Sequence, residues 1–315
     1  MKIIELIKKA RRLGPILGFK KLAGYEAVFS WGFRKRIKGR ELYREKGVEL
    51  PFTIFPHSDQ YWYADPLLCE YQGRQIVFME CMDRKTNIGS IGYVDLTEND
   101  GKNTQVRIVI REKFHMSFPM TFHWENDLYM LPETEMNDSL VLYRCTSFPD
   151  QWEKVAELLQ GHKIVDSVIV KIEDNRVSFI ASEYDPEDPK RTRFCRFDLL
   201  KKETEISAVW HGREQDNYCY DSRTAGGVID NKIIPLQRST PGIYGYSIKF
   251  HAFKDAKIQK LRREILPSDL HIAGKRRKLL GTHTYSQSSD FEVIDVEYLV
   301  FNKDKWKSRI KGRAK

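Results

Sequence analysis

A unit of two apolar runs joined by a polar turn recurs five times between residues 62 and 298, and this repeat restricts the fold most strongly. The turns are Gln72-Gly73, Glu125-Asn126-Asp127, Glu173-Asp174-Asn175, Asp230-Asn231 and Ser289-Asp290. The second runs end near Glu80, Glu133, Glu183, Gln237 and Asp295, at steps of 53, 50, 54 and 58 residues. Each interval has room for two more short strands. This arithmetic predicts an all-β, five-bladed β-propeller over residues 49–302, with PFTIF at 51–55 completing the last blade.

The repeat also predicts where polar side chains meet. In a propeller the innermost strand of each blade lines the central channel, and the next strand runs antiparallel to it. Residues at the start of the first strand and at the end of the second therefore lie near the axis at one face. The first-strand positions are Asp65, Phe118, Asp166, Arg223 and His283. Together with the second-strand ends they predict a polar, mostly acidic axial pocket.

The positive charge lies at the two ends of the chain. Of 315 residues, 53 are Lys or Arg and 44 are Asp or Glu, giving a net charge of +9. Residues 1–50 hold 14 basic and 5 acidic residues, and residues 301–315 hold 7 and 1. The rest of the chain is therefore mildly acidic, which argues against nucleic acid as a partner.

Residues 1–48 combine apolar residues at helical spacing, such as Ile3, Leu6, Ile7 and Ala10, with many cations. They predict a basic amphipathic helical extension that associates with an anionic membrane surface. Packing on the body or on a partner subunit is the alternative. Residues 303–315 form a basic tail that joins the same surface or is disordered.

No apolar run is long enough to span a bilayer, and the start of the sequence does not have the pattern of a secretory signal. The five cysteines include no CxxC pair. Their number and spacing favour reduced thiols over a disulfide framework or a zinc site. The expected location is therefore the cytoplasm, peripheral on the inner face of the membrane, and no metal or cofactor is predicted.

Several motifs, taken in order, resemble known propellers. They are ADPLL…FMEC, SFPMTF…YMLPET, VDSVIV, SRTAGG…PLQRS and GTHTYS…VIDVEY. The set resembles the N-terminal propeller of plant glucosamine inositolphosphorylceramide transferases and related bacterial surface-polysaccharide proteins. It is more distantly similar to the arabinanase, β-xylosidase and fructosidase propellers, where an Asp at the ADP position is a general base or nucleophile. The fourth blade departs from the pattern, because relatives tend to have RPAG…RPAQ there.

The resemblance implies sugar chemistry, which requires a carboxylate base and, in hydrolases, a protonated carboxyl acid. Asp65 is the candidate base, and Glu133 and Glu183 are candidate acids. The predicted substrate-binding residues are Glu80, Asp166, Arg223, Gln237, Arg238, Tyr244 and His283. Each has a structural alternative: Asp65 as a turn cap, the glutamates as hydrogen-bond partners between blades, Arg223 as an ion-pair partner of Asp166 or Asp221, and His283 as a satisfied strand residue.

Two classes of function remain open. The first is a membrane-peripheral glycosyltransferase of surface polysaccharide, capsule or glycolipid biosynthesis, with a nucleotide-sugar or sugar-phosphate donor and a glycan or lipid-linked acceptor. The second is a non-catalytic glycan- or lipid-binding propeller that positions a partner transferase. A glycoside hydrolase of the arabinanase or fructosidase type is third. Arg223 and His283 are expected to assist a phosphate leaving group if the donor is a sugar phosphate or nucleotide.

Overall fold

The computed structural model describes residues 24–44, 50–97, 105–184, 191–211, 223–240, 243–255, 257–274, 278–303 and 306. The first ten strands are β1 (Tyr25–Lys35), β2 (Thr53–Ile54), β3 (Tyr61–Tyr71), β4 (Arg74–Asp83), β5 (Gly89–Asp95), β6 (Arg107–Ile110), β7 (Ser117–Trp124), β8 (Asp127–Glu133), β9 (Leu140–Ser147) and β10 (Gln151–Leu158). The others are β11 (Ile164–Glu173), β12 (Arg176–Glu183), β13 (Arg191–Asp198), β14 (Thr204–His211), β15 (Ile233–Thr240), β16 (Ile243–Lys254), β17 (Lys257–Ile265), β18 (Leu279–Gly281), β19 (Tyr285–Gln287) and β20 (Phe291–Phe301). Two short 3-10 helices, Glu135–Asn137 and Pro267–Asp269, lie between strands.

The strands form five antiparallel sheets, which confirms the predicted propeller. Strands β3–β6, β7–β10 and β11–β14 make the first three blades, each in simple meander order. The fourth blade contains β15–β17, and the fifth contains β18, β19, β20, β1 and β2. Each predicted turn lies where the repeat places it, between the first and second strands of its blade.

The fourth blade has no regular inner strand among its described residues. Residues 224–229 are joined to β15 by single bridges, from Thr224 to Leu236 and from Ile229 to Ile233. The cause lies at Gly226, which has φ of +130° and packs so closely on the carbonyl oxygen of Tyr285 that a Cβ would be 1.9 Å from it. Glycine allows this contact between blades, and the backbone conformation it adopts there interrupts the strand.

The inner strands of the first three blades carry a β-bulge at the same repeat position. Asp65, Phe118 and Asp166 have φ of 49°, 45° and 51°. The pairing register with the second strand shifts at each of them. A bulge turns the side chains of neighbouring residues, which is how one inner strand supplies both a polar pocket residue and an apolar core residue.

Below the bulges the axis is filled with apolar side chains. Leu67, Met120 and Val168, each two residues beyond its bulge, pack together with Phe118 in one buried cluster. This cluster is called the axial plug here. It lies on the side of the bulges toward the inner-strand turns, away from the start of the inner strands.

The fifth blade closes the ring with strands from both ends of the described chain. Strand β1 pairs with β20 along its whole length, from Tyr25 opposite Phe301 to Lys35 opposite Phe291. At the lower end, the buried Arg34 guanidinium donates to Glu292 at 2.9 Å, measured from its Nε atom. As predicted for PFTIF, β2 completes this blade, by pairing with β1.

This closure corrects the predicted boundary of the N-terminal extension. Residues 25–35, expected within a helical segment that ends at residue 48, form β1, which is hydrogen-bonded between β20 and β2 and buries Val28, Trp31 and Phe33. Residues 1–23 lie outside the described residues, as do 304, 305 and 307–315 of the predicted tail. Within the described part of the chain, no helix has the length and apolarity needed to cross a membrane.

Candidate functional site

Polar side chains that the repeat places near the axis lie close together, and this group, called the axial pocket below, includes Asp65. Its Oδ1 atom accepts a hydrogen bond from Thr284 Oγ1 at 2.7 Å and lies 3.5 Å from His283 Nε2. Its Oδ2 atom accepts from the backbone N–H of Phe118 at 3.3 Å. Burial raises the pKa of Asp65 to about 6, although the nearby His283 charge favours the carboxylate. Asp65 is therefore mainly ionised at neutral pH and, as a base, stronger than an ordinary aspartate.

His283 lies between two carboxylates. Its Nδ1 atom is 2.5 Å from Asp295 Oδ2, and its Nε2 atom faces Asp65. Burial disfavours the imidazolium, but Asp295, Asp65 and Asp166 together outweigh it and raise the pKa of His283 to about 9. Asp295 is itself held by the backbone N–H groups of His283 and Thr284, at 2.7 and 3.0 Å from Oδ1. The three residues form a fixed carboxylate–imidazolium–carboxylate row.

The His283 ring is positioned by packing as well as by charge. The ring of Phe29, on β1, lies with its centroid 4.8 Å from that of His283. On another side Gly245 has φ of +61°, and a Cβ placed there would be 2.6 Å from His283 Cβ. Only glycine accommodates both this conformation and this contact.

Glu80 lies across the first-blade hairpin from Asp65, on β4 opposite Ala64, and is buried. Burial raises its pKa well above the usual value, and the charges of Asp65 and Glu133 raise it further. His115 lies beside it, with Nε2 3.6 Å from Glu80 Oε1. Because His115 Nδ1 accepts the backbone N–H of Gly89 at 3.0 Å, its proton is on Nε2 and points at Glu80.

A second group of pocket residues comes from the second, third and fourth blades. Glu133 hydrogen-bonds to Asp166, and burial together with the Asp166 charge raises the pKa of Glu133 well above normal. The Arg223 guanidinium reaches Asp166 with Nε 3.5 Å from Oδ2. Its Nη1 atom donates to the hydroxyl of Tyr244 at 2.9 Å, and Gln237 Nε2 donates to the same hydroxyl at 3.2 Å. Arg223 thus makes the ion pair with Asp166 that was one of its two predicted roles.

Two predicted site residues have other partners. Glu183, proposed as an acid, accepts from Arg193 Nε at 2.6 Å and lies 2.8 Å from His162 Nδ1. Arg238, proposed to bind substrate, donates to Glu264 at 2.9 Å. Glu183 is thus bound by the Arg193 guanidinium of its own blade, whereas Glu133 is bound to Asp166.

Three pocket residues were not predicted from the sequence. Thr284 orients Asp65, His115 faces Glu80, and Phe29 packs on His283. Thr284 directly follows His283 in the motif GTHTYS, so the motif contained a signal for it. His115 and Phe29 reach the pocket from a connecting segment and from β1, which have no counterpart at that position of the repeat.

One set of residues has the composition of a metal site. Asp65, His283 and Asp295 each offer a ligand atom, and these atoms lie within 4.8 Å of one another. The His283 imidazolium already occupies the space between the two carboxylates. A metal ion could bind here only if His283 gave up a proton. The arrangement therefore fits a protonated histidine between two carboxyl groups better than a metal centre.

The pocket as a whole carries more negative than positive charge. Glu80 and Glu133 have raised pKa values and so tend to be neutral. Among the described residues, the carboxyl groups of Asp65, Asp166 and Asp295 face two cations, the imidazolium of His283 and the guanidinium of Arg223. The pocket therefore offers many hydrogen-bond acceptors and a few donors, a set suited to sugar hydroxyl groups.

The fold and the acidic axial pocket define a five-bladed propeller that has glycoside hydrolases among its solved counterparts. A GH43_1 enzyme from Xanthomonas citri in complex with xylotriose superposes with a TM-score of 0.52 at 8% identity, over 77% of this chain and 88% of that one. An exo-β-1,3-galactanase from Phanerochaete chrysosporium gives a TM-score of 0.51 at 12% identity, over 66% and 53%. At these identities the likeness shows the fold alone.

The sequence comparison identifies a family, which the likeness of folds does not. Residues 56–255 match the profile of the family "Glucosamine inositolphosphorylceramide transferase 1, N-terminal", and the chain belongs to this family. Glucosamine inositolphosphorylceramide transferase 1 of Oryza sativa subsp. indica is 24% identical over 208 residues, 64% of this chain and 27% of the relative. The Arabidopsis thaliana protein of that name is 32% identical over 107 residues, 34% and 14% of the two chains. The chain thus spans only about a quarter of the length of its rice relative.

Proposed function

We propose that the propeller is a sugar-binding and sugar-activating domain of glycosyl transfer, and that Asp65 is its general base. The observation that carries this proposal is the environment of Asp65. The carboxylate is buried, fixed by Thr284, and has a pKa of about 6. A base with these properties accepts the proton of a sugar hydroxyl as that hydroxyl attacks a donor. The family supports a transferase context, because its members are named for one.

The charge of the pocket favours the acceptor sugar over a nucleotide-sugar donor. The predicted role of Arg223 and His283 on a phosphate leaving group requires cations free to bind it. Arg223 is paired with Asp166, and His283 with Asp295. A phosphate group would meet the surrounding carboxylates at close range, which is unfavourable in a poorly solvated site. The donor is therefore expected to bind elsewhere, on a partner transferase or on another surface.

The acceptor is proposed to be a glycan attached to a lipid, as in glycolipid or surface-polysaccharide assembly. The relatives are named glucosamine inositolphosphorylceramide transferase 1, and inositolphosphorylceramide is a lipid. The basic residues in segments 1–23 and 303–315 support association with the anionic inner face of a membrane. A cytoplasmic, membrane-peripheral location is thus part of the proposal.

A second candidate is a domain that binds the acceptor without catalysis. It is favoured by the pairing of Arg223 with Asp166 and of His283 with Asp295, which leaves neither of these two described cations free to stabilise a leaving phosphate. In this function Asp65 would accept a hydrogen bond from the sugar and transfer no proton. The two candidates predict different outcomes for one substitution.

The test uses the full chain with panels of nucleotide sugars and sugar phosphates and a lipid-linked acceptor. Asp65→Asn keeps the size of the side chain and tolerates the left-handed backbone at this position. Asp59→Asn, an exposed position, is the matched control. Turnover should fall by at least about 100-fold in Asp65→Asn, the scale of a lost general base, and stay unchanged in the control.

Acceptor binding, measured by calorimetry on the same three proteins, separates the candidates. Turnover lost with binding largely kept supports the base. Undiminished turnover in Asp65→Asn refutes it. No turnover with any donor, together with acceptor binding that weakens in Asp65→Asn, supports the non-catalytic domain.

A further inference from the structure

The fifth blade extends beyond the others on the pocket side. In the first blade, the β3–β4 ladder ends at Tyr61 opposite Asp83, three residues past Glu80. In the fifth blade, β20 continues for six residues beyond Asp295 and ends at Phe301, still paired with Tyr25 of β1. Six residues of strand correspond to roughly 20 Å. The ends of β1 and β20 therefore form a ribbon that rises above the level of the carboxylates.

This ribbon stands on the same side as the mouth of the pocket. The axial plug lies on the other side of the polar residues, toward the inner-strand turns. Tyr244, whose hydroxyl contacts Arg223 and Gln237, is 44% exposed and is the second residue of β16, at the end of the fourth blade on the ribbon side. A molecule that enters the pocket thus approaches past the tip of the ribbon.

The tip carries a cluster of three aromatic residues, Tyr25, Phe301 and Trp306. The ring centroids of Tyr25 and Phe301 are 5.5 Å apart, and those of Phe301 and Trp306 are 6.5 Å apart. Phe301 is 52% exposed and Trp306 is 38% exposed. Gly24 fixes the cluster, because a Cβ there would lie 2.9 Å from Trp306 Cβ. The aromatic tip, as this cluster is called below, is ordered by its own contacts and is still open on its outer side.

Both chain segments that adjoin the aromatic tip are basic. Residues 1–23, which precede it, contain seven Lys or Arg and one acidic residue. Residues 303–315, which surround Trp306 in sequence, contain seven Lys or Arg and one acidic residue. A cluster of aromatic residues flanked by cations matches the membrane–water interface, where aromatic rings lie at headgroup level and cations meet anionic lipid.

We propose that the aromatic tip is a membrane-interface anchor, which turns the mouth of the pocket toward the surface of an anionic leaflet. This inference rests on the proposed function in one respect, that the acceptor sugar is attached to a lipid. Beyond that proposal, the inference assigns a membrane-contacting surface to the propeller and an orientation of the propeller relative to the membrane. With the ribbon tip in the headgroup layer, the pocket lies about one ribbon length above the acyl chains, at the height of a lipid-linked glycan.

The test is flotation of the full-length protein with vesicles of phosphatidylcholine alone and of phosphatidylcholine with phosphatidylserine. The double variant Phe301→Ser, Trp306→Ser removes the exposed rings. Leu200→Ser is the matched control, since Leu200 is 69% exposed and lies beside the inner-strand turn of the third blade, on the opposite face. Phe301→Tyr with Trp306→Tyr keeps amphipathic aromatic rings and tests whether binding follows ring chemistry. Thermal melting of each variant verifies folding.

The wild-type protein should float with the phosphatidylserine vesicles and lose this binding in high salt. The double serine variant should bind at least about tenfold more weakly, while Leu200→Ser and the double tyrosine variant stay near wild type. Equal binding of the double serine variant and wild type overturns the anchor. No binding of the wild type to any vesicle also overturns it and points to a polypeptide partner for the tip. Flotation requires neither a donor nor turnover. If Asp65→Asn leaves the rate of sugar transfer unchanged while the wild-type protein still binds vesicles, the proposed base is refuted and the anchor is not.

Discussion

Asp295 holds His283 twice, with Oδ1 on the backbone N–H at 2.7 Å and with Oδ2 2.5 Å from the ring Nδ1. One carboxylate thus fixes both the chain path and the charge of the imidazole. The second ring nitrogen is left facing Asp65 at 3.5 Å. Asp295 belongs to β20, the strand that closes the ring by pairing with β1.

The first prediction concerns the proton on His283. Its pKa in the folded protein, about 9, is above the ordinary value of 6.5, so the folded state holds this proton more tightly than the unfolded state. The resulting stabilisation is fully present below pH 6.5 and is lost as the pH rises through about 9. Asp295→Asn should therefore lower the free energy of unfolding by about 3 kcal/mol at pH 6, and by much less at pH 9.5.

Urea unfolding of wild type and Asp295→Asn between pH 6 and 9.5 measures this difference, and Asp59→Asn serves as the control. A gap between wild type and Asp295→Asn that is independent of pH would show that His283 is not charged in the folded protein.

The second prediction is that Asp65, the candidate base, lowers the stability of the folded protein at neutral pH. The pKa of Asp65 is raised from 3.8 to about 6, so the folded state favours the neutral form. That preference adds stability below pH 3.8 and is lost as the pH rises through about 6. Asp65→Asn should therefore raise the free energy of unfolding by up to about 3 kcal/mol at pH 7.5 relative to its effect at pH 4. Chemical denaturation at both pH values measures it, and a loss of stability at pH 7.5 would contradict the account of Asp65 as a buried charge.

The third prediction compares two glycines that both have positive φ. Gly245 has φ of +61° and faces His283 Cβ, whereas Gly161 has φ of +79° and nothing within 4 Å. Gly161→Ala should cost only backbone strain, about 1 kcal/mol. Gly245→Ala should cost clearly more and should displace the His283 ring. Thermal melts give the stabilities, and the NMR titration of His283 reports the ring, so equal effects of the two variants would argue against the contact.

The fourth prediction concerns the boundary of the propeller. A chain that starts at residue 24 keeps β1 and should melt cooperatively, within about 3 °C of the full chain. A chain that starts at residue 36 lacks β1 and exposes the edge of β20 over eleven residues. It should aggregate or melt without cooperativity. Circular dichroism and light scattering distinguish the two, and a folded, soluble shorter chain would show that β1 is dispensable.

Much of the fold follows from the sequence because the repeat is local. Each polar turn and its two flanking strands lie within about 20 residues, so the turn chemistry and the apolar runs specify the hairpin directly. The ring positions of Asp65 and Asp295 then follow from the repeat. The place of β1 could not be predicted in the same way, because its partner β20 lies more than 250 residues away in sequence and no local pattern records that pairing.

The site was only partly predictable for a similar reason. Glu133 and Glu183 hold the same place in the repeat, yet Glu133 shares a hydrogen bond with Asp166 while Glu183 is paired with Arg193. A repeat specifies the backbone position of a residue but not which side chains its functional group contacts. Thr284 and His115 were missed because they act through such neighbours.

The pairing of β1 with β20 also sets an order of events during synthesis on the ribosome. Strand β1 is among the first parts of the described chain to be made, but its partner is made last, so β1 has to wait unpaired while four blades form. Asp295, His283 and Thr284 belong to the late segment as well. The propeller and its candidate base are thus completed only after β20 has been made, and a chain interrupted before residue 291 has neither a closed ring nor a complete pocket.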